Sequence, residues 1–153
     1  MNLVKSKINI LMFFITKLND LSKAQIVEMI LNKKTEQALQ ILSEYYKVYT
    51  PQIVVGTIKG KRKTVYAVYV QKEKKIYCIN SDIFYNPFVV LHEFYHHIRT
   101  SGGIHRGSEK HANMYAKSFI ESYNKIIEQI LKQNIDKTTL NTQHTDKENK
   151  MDE

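Results

Sequence analysis

The chain of 153 residues is long enough to bury a hydrophobic core, and its content of 42% hydrophobic and 25% charged residues is typical of a globular protein. Its net charge of +8 favours acidic partners, such as nucleic acid, an acidic substrate protein or a membrane surface. The single cysteine, Cys78, excludes an internal disulfide framework and predicts a reducing, cytoplasmic location.

Helices are predicted for most of the sequence before Pro51. The most apolar run, residues 8–15, is too short to span a bilayer. Asn9 interrupts this run, so we interpret it as a packed helix rather than as a secretion signal. Ser22 is then predicted to cap one helix and Thr35 another, because apolar residues follow each of them at helical spacing. No membrane span is expected.

Three strands are predicted after Pro51, in short runs rich in valine, isoleucine and tyrosine at residues 52–58, 64–71 and 75–80. Polar, lysine-rich turns separate these runs, so we expect a small three-stranded antiparallel sheet in which each strand pairs with the next. The basic hairpin turns could contact the phosphates of a nucleic acid. Lysines at a sheet edge also prevent pairing with other chains, which is their more ordinary role.

A helix over residues 87–100 is predicted by signals at both of its ends. Asn86 supplies a cap, Pro87 suits the first helical position, and Gly102 and Gly103 supply the stop. The apolar side chains of this segment share one broad sector of the helix. We therefore expect that sector to pack on the core, while the polar side chains beside it face a cleft.

The pattern H-E-x-x-H lies in this helix, as His92, Glu93 and His96. Residues four apart on a helix stack one above the other, so both imidazoles would face one point, as a zinc ion requires. Glu93 falls beside that face, within reach of a metal-bound water rather than of the metal. The alternative is a pair of surface histidines on an ordinary amphipathic helix, because so short a motif also arises by chance.

A third ligand is expected, because a catalytic zinc usually has three protein ligands and one open position. Ser108 is predicted to cap a long helix that ends near Gln133 and runs antiparallel to the first. Its first turn would then face His96, which favours Glu109 as the third ligand. The alternative is that the Glu109 carboxylate only complements the positive end of its own helix. The other candidates, for the third ligand or for a residue that stabilises the transition state, are His105, His111 and Tyr115.

A second motif lies on the long helix, as Glu109-x-x-Ala112-Asn113-x-Tyr115-Ala116. Together with H-E-x-x-H it resembles the zincin-like metallopeptidases of the ImmA/IrrE type, which show H-E-x-x-H followed by E-x-E-A-N-x-F-A-A. The resemblance implies an α+β, zincin-like fold with N-terminal helices, a small sheet, the H-E-x-x-H helix and a long C-terminal helix. It also implies a gluzincin-like site with Glu109 as the third ligand, and cleavage of an intracellular protein, in several relatives a DNA-bound transcriptional repressor.

These features predict a zinc metallopeptidase that hydrolyses a protein or peptide substrate, with one domain over residues 1–134 and a polar, disordered tail over residues 135–153. Zn²⁺ would be bound by His92, His96 and Glu109, and Glu93 would act as the general base. The alternatives are a protein with a purely structural zinc, a basic nucleic-acid-binding module without metal, and a partner-binding protein whose tail folds on binding.

Overall fold

The computed structural model describes residues 18–56, 65–103 and 105–148, with side chains as far as residue 137. This part of the chain is an α+β fold of five helices and one three-stranded sheet. The helices are α1 (Asp20–Leu31), α2 (Thr35–Tyr46), α3 (Ser81–Phe84), α4 (Pro87–Ser101) and α5 (Glu109–Glu148), and the strands are β1 (Gln52–Val55), β2 (Ala67–Val70) and β3 (Lys75–Cys78). The apolar run at residues 8–15 lies outside the described residues.

The caps of the first two helices differ from those predicted. Asn19 caps α1, because its side chain accepts a hydrogen bond from the Ser22 backbone N–H at 2.8 Å. Asn19 is as strong a cap as Ser22, and a start there adds helical backbone hydrogen bonds. Thr35 lies inside α2 rather than at its cap, and its hydroxyl donates to the backbone carbonyl of Phe84 at 3.0 Å. The Thr35 side chain therefore ties α2 to α3.

The sheet is mixed, so the predicted antiparallel order of consecutive strands is wrong. The strand order is β1-β3-β2, with β3 parallel to β1 and antiparallel to β2. A tight turn joins β2 directly to β3, with the Lys74 N–H donating to the Gln71 carbonyl at 3.3 Å. Neighbouring strands lie about 4.8 Å apart, and β3 occupies the position between β1 and β2. The two central residues Ile76 and Cys78 are fully buried as a result.

The predicted apolar sector of α4 is confirmed, except at its first residue. Phe88 is 39% exposed, whereas the rest of the sector faces α5 on one side and β2 and β3 on the other. The caps of α4 are also confirmed: Asn86 accepts from the Val89 N–H at 3.2 Å, Pro87 begins the helix and Gly102 ends it. The buried residues of the sector are Val90, Leu91, Phe94, Tyr95 and Ile98.

The long helix α5 packs along α1 and continues to Glu148, beyond its predicted end near Gln133. Much of the segment 135–153, which the sequence predicts to be disordered, is therefore helical here. Residues 127–137 are all exposed, so burial ends before Ile130, which the apolar periodicity predicts to face inward. A helix can continue past that point, because its backbone hydrogen bonds do not require a buried face. Within the described residues, no helix is long and apolar enough to cross a membrane.

Asp20 links the start of α1 to α5, and its carboxylate gives a testable pH dependence. The carboxylate accepts hydrogen bonds from Lys125 at 2.5 Å and from the Ser122 hydroxyl at 2.8 Å. The Lys125 hydrogen bond is the main reason that the pKa of Asp20 lies below its ordinary value of 3.8. The stability contributed by this charge is therefore full above pH 3.8 and is lost as the pH falls through the lowered pKa.

Replacement Asp20→Asn should accordingly lower the midpoint of thermal unfolding at neutral pH and change it little below the lowered pKa, where the wild-type carboxyl is protonated in the folded protein too. A suitable control is Glu121→Gln, which breaks an exposed pair with Lys117 on α5 (3.6 Å) and should change the midpoint very little. An equal loss of stability at both pH values would contradict the assignment of the effect to the Asp20 charge.

Candidate metal centre

Two histidines of α4 and the first residue of α5 meet in space, as the sequence predicts. The Nε2 atom of His92 lies 2.9 Å from Oε2 of Glu109, and the Nε2 atom of His96 lies 3.3 Å from Oε1 of the same carboxylate. The two Nε2 atoms are 3.3 Å apart. One ligand atom from each residue thus lies within 4.8 Å of the other two, which is a spacing that a single metal ion can bridge.

The loop between α4 and α5 brings Glu109 to this position. Ser108 caps α5, accepting a hydrogen bond from the His111 backbone N–H at 3.2 Å, so Glu109 occupies the first turn as predicted. Gly107 has a φ of +83°, and a Cβ atom there would lie 2.8 Å from Cε1 of Tyr95. Only glycine meets both conditions, so the loop can press against α4 and deliver α5 directly beside His96.

The outer ring nitrogens of the two histidines face oxygen acceptors. Nδ1 of His92 lies 2.9 Å from Oδ1 of Asn113, and Nδ1 of His96 lies 2.9 Å from the backbone carbonyl oxygen of Arg106. An oxygen acceptor at this distance requires a proton on Nδ1, and a neutral imidazole has only one. Both Nε2 atoms are then left as acceptors that face each other and the Glu109 carboxylate.

With both imidazoles neutral, the two Nε2 atoms and the Glu109 carboxylate are all acceptors, so a cation between them, either a proton or a metal ion, stabilises the arrangement. Burial lowers the pKa of the fully buried His96 imidazole and so favours its neutral form. The side chain of Glu109 is 67% exposed, so the cluster is open to solvent on one side. Two neutral imidazoles and one carboxylate are a donor set that suits zinc. The residues present therefore fit the metal that the sequence predicts.

Glu93 lies beside the cluster, and a backbone hydrogen bond fixes its position. Its Oε1 atom is 4.0 Å from Nε2 of His92, while Oε2 accepts from the Tyr69 backbone N–H at 2.7 Å. In the antiparallel pair β2–β3, every second residue of β2 directs its backbone N–H and carbonyl towards β3. The N–H of Ile79 donates to the carbonyl of Tyr66, so Tyr66 is one of the residues that face β3. By that alternation the Tyr69 N–H points away from β3, so Glu93 binds the free edge of the sheet.

The environment of Glu93 raises the pKa of its carboxyl group. Only 5% of the residue is exposed, and this burial is the main reason that its pKa is raised. The hydrogen bond from Tyr69 opposes the increase by stabilising the charged form. Glu93 thus combines a fixed orientation with a raised proton affinity, which are two properties of a general base.

The alternative candidates lie outside the cluster. His105 is exposed, and His111 turns towards its own helix cap, with Nδ1 2.8 Å from Oγ of Ser108. Tyr115 is 4% exposed, and its hydroxyl donates to the Tyr46 hydroxyl at 3.3 Å within the core. The geometry therefore favours Glu109 over either histidine, and it gives Tyr115 a packing role.

His97 is adjacent to His96 in sequence but faces the other side of α4. It is fully buried, with Nδ1 2.9 Å from the Tyr69 hydroxyl and Nε2 2.5 Å from the backbone carbonyl of Tyr49. Burial lowers the pKa of this imidazole. Its ring thus links α4 to β2 and to the segment before β1, and it contributes nothing to the cluster.

Three residues support the cluster without a role predicted from the sequence: Asn113, which belongs to the second motif, Arg106 and Tyr69. Asn113 follows Glu109 by four residues, so helical spacing alone would have placed both on one face of α5. Arg106 and Tyr69 contribute a backbone carbonyl and a backbone N–H respectively. Every residue except proline offers both groups, so residue type gives no signal for such a role.

The adjacent histidines allow a matched test of the cluster. His96→Ala should abolish binding of a divalent metal, because it removes one of three ligands. His97→Ala should leave the metal content unchanged but lower the free energy of unfolding by about 2–4 kcal/mol, because it leaves a cavity and two unpaired polar groups. Metal analysis per chain and denaturant unfolding measure the two effects. Equal metal loss in both variants would contradict a cluster confined to one side of α4.

Asn113 should orient His92 for metal binding. Asn113→Ala removes the acceptor at Nδ1 and is expected to weaken metal affinity by about 10–100-fold, as loss of such supporting groups does elsewhere. Asn113→Asp is the matched control, because its carboxylate still accepts from Nδ1 and should preserve affinity. Competition with a chromogenic chelator gives both values. An alanine variant with wild-type affinity would show that the hydrogen bond is incidental.

Comparisons with protein-family models, with curated proteins and with solved structures found no match to this chain. The likeness to metallopeptidases of the ImmA/IrrE type therefore stays a prediction from the two motifs. The geometry of His92, His96 and Glu109, with Glu93 beside them, is the observation on which a functional assignment has to be based.

Proposed function

We propose that this protein is a zinc-dependent metallopeptidase that hydrolyses a peptide bond of an intracellular protein in the cytoplasm. The observation that supports this most is an open cluster of three ligands with a buried carboxylate beside it. Structural zinc sites are typically closed by four protein ligands, whereas catalytic sites use three. The described residues offer three here, and Glu93 is held apart from them by the Tyr69 N–H.

Bound zinc would supply a Lewis acid and a water with a pKa lowered to about 7. The residues of the chain account for the movement of protons. Glu93 takes a proton from the water as the water oxygen adds to the carbonyl carbon, and the carbonyl π electron pair moves to its oxygen. When that pair returns, the C–N bond breaks, and Glu93 gives the proton to the leaving nitrogen. One water is consumed, and one carboxylic acid and one amine are formed.

An exposed aromatic ring beside the cluster suits an apolar group of the substrate. Phe88 is 39% exposed, and its ring centre is 6.5 Å from that of His92, so an apolar side chain near the scissile bond is favoured. We therefore propose a protein segment with an apolar side chain at this point as the substrate.

A DNA-bound regulator is the substrate class that we propose, because the motif resemblance implies it and a net charge of +8 favours work near nucleic acid. The competing assignment is a basic nucleic-acid-binding protein whose metal, if any, only joins two helices. Salt-dependent binding to DNA without any peptide cleavage would support that assignment instead.

Glu93→Gln tests the proposed chemistry directly. Glutamine can still accept from the Tyr69 N–H but cannot take a proton, so the variant should retain its metal and lose hydrolysis by about 100-fold or more. Glu109→Gln should lose affinity for the metal and activity together. The assay incubates each zinc-loaded protein with a library of proteome-derived peptides and detects new amino termini by mass spectrometry.

Two outcomes of this experiment are decisive. Cleavage by Glu93→Gln at the wild-type rate would contradict its role as the general base. A wild-type protein that holds one zinc per chain and cleaves nothing in the library, while a metallopeptidase of broad specificity cleaves it, would contradict the proposed function.

A further inference from the structure

Arg106 lies at the candidate metal centre, and the mechanism above gives its side chain no role. Its backbone carbonyl accepts from Nδ1 of His96 at 2.9 Å, so the residue is anchored next to one ligand. Its Nη2 atom lies 3.9 Å from Oε1 of Glu109, a second ligand. That distance is too long for a hydrogen bond, so the guanidinium is near the carboxylate without being bound to it.

The donors of this guanidinium are incompletely used. Its Nε atom is buried and has no hydrogen-bond partner in the part of the chain that the structure describes. The side chain as a whole is 42% exposed, so the rest of the guanidinium remains accessible from solvent. An acceptor that arrives with a ligand can therefore reach the accessible N–H groups of the guanidinium rather than the buried Nε.

The backbone at Arg106 and Gly107 packs against α4. Gly107 lies against Tyr95, and a Cβ atom at Gly107 would also be 3.3 Å from Cγ of Arg99. Together with the hydrogen bond from His96, this contact holds the Arg106 backbone against α4. The guanidinium thus extends from a backbone that is held beside the ligand His96, as the position of a group that stabilises developing charge requires.

We propose that Arg106 binds the negatively charged oxygen that forms on the substrate carbonyl during hydrolysis, and so stabilises the transition state; this inference rests on the proposed function. A guanidinium presents several N–H donors in a planar fork and stays charged at all working pH values, which suits an oxyanion. The same chemistry would also suit the terminal carboxylate of a peptide. The experiment must therefore distinguish these two sources of negative oxygen.

The test measures binding rather than turnover, with two small probes and zinc-loaded protein. N-phosphoryl-leucinamide carries a tetrahedral group with negative oxygens, whereas N-acetyl-leucine carries a planar terminal carboxylate. Arg106→Gln should bind N-phosphoryl-leucinamide about 100-fold more weakly than wild type, which is the scale of losing one oxyanion donor. Its affinity for N-acetyl-leucine and its zinc content should stay the same. Titration calorimetry and metal analysis give these values.

Two further variants separate the role of the fork from the role of charge. Arg106→Lys keeps the positive charge but loses the planar fork, so an intermediate loss of about 10-fold is expected. Arg99→Gln is the matched control: Arg99 also has a buried Nε without a partner among the described residues, and it contacts the same loop. It should bind N-phosphoryl-leucinamide as wild type does.

The outcomes that overturn the inference are distinct from those that overturn the proposed function. Unchanged affinity of Arg106→Gln for N-phosphoryl-leucinamide, in a protein whose wild type binds the probe and cleaves peptides, overturns the inference alone. An equal or greater loss for N-acetyl-leucine assigns Arg106 to a terminal carboxylate and also overturns it. A wild type that binds zinc but neither binds the phosphoryl probe nor cleaves peptides overturns both.

Discussion

The packing of the first turn of α5 against α4 brings together the three ligands of the candidate metal centre. It brings Glu109 to the two imidazoles and Asn113 to the outer nitrogen of His92. The same packing holds the short loop that carries Arg106, because Gly107 lies against Tyr95 where no side chain would fit. A single helix–helix contact thus determines the ligands, the groups that orient them and a nearby positive charge. Glu93 depends in addition on the strand order, because β2 is an edge strand and its Tyr69 N–H is therefore free to bind the carboxylate.

The polar groups of this region fall into two sets on opposite sides of α4. On one side, two imidazole nitrogens and a carboxylate face one another at a spacing that a single cation can bridge. On the other side, His97 is satisfied by a tyrosine hydroxyl and a backbone carbonyl and needs nothing more. Two adjacent histidines therefore lie in different surroundings, which follows from the 100° turn between neighbouring residues on a helix.

The H-E-x-x-H helix and the meeting of its histidines with Glu109 were predictable, whereas the caps of α1 and α2, the strand pairing and the end of α5 were not. Asn86 and Pro87 signalled the start of α4, and helical spacing placed Glu109 opposite His96. Valine-rich runs indicated strands but not their partners, because pairing depends on how far the connection between two strands can reach. The end of α5 was missed because periodicity reports burial rather than helicity. The supporting contacts of Tyr69 and Arg106 use backbone groups that nearly all residues share.

Tyr69 contacts α4 through two different parts of the residue. Its main-chain N–H binds Glu93, and its phenolic hydroxyl binds His97. The two contacts differ in their tolerance of sequence change, because any substitution short of proline preserves the main-chain donor, whereas nearly every substitution removes the hydroxyl. Substitutions at position 69 thus preserve the hydrogen bond that orients the proposed base Glu93. They remove the hydrogen bond between the Tyr69 hydroxyl and His97, which joins the sheet to α4. Variation at this position would alter the rigidity of the fold and leave the carboxylate aimed where it is.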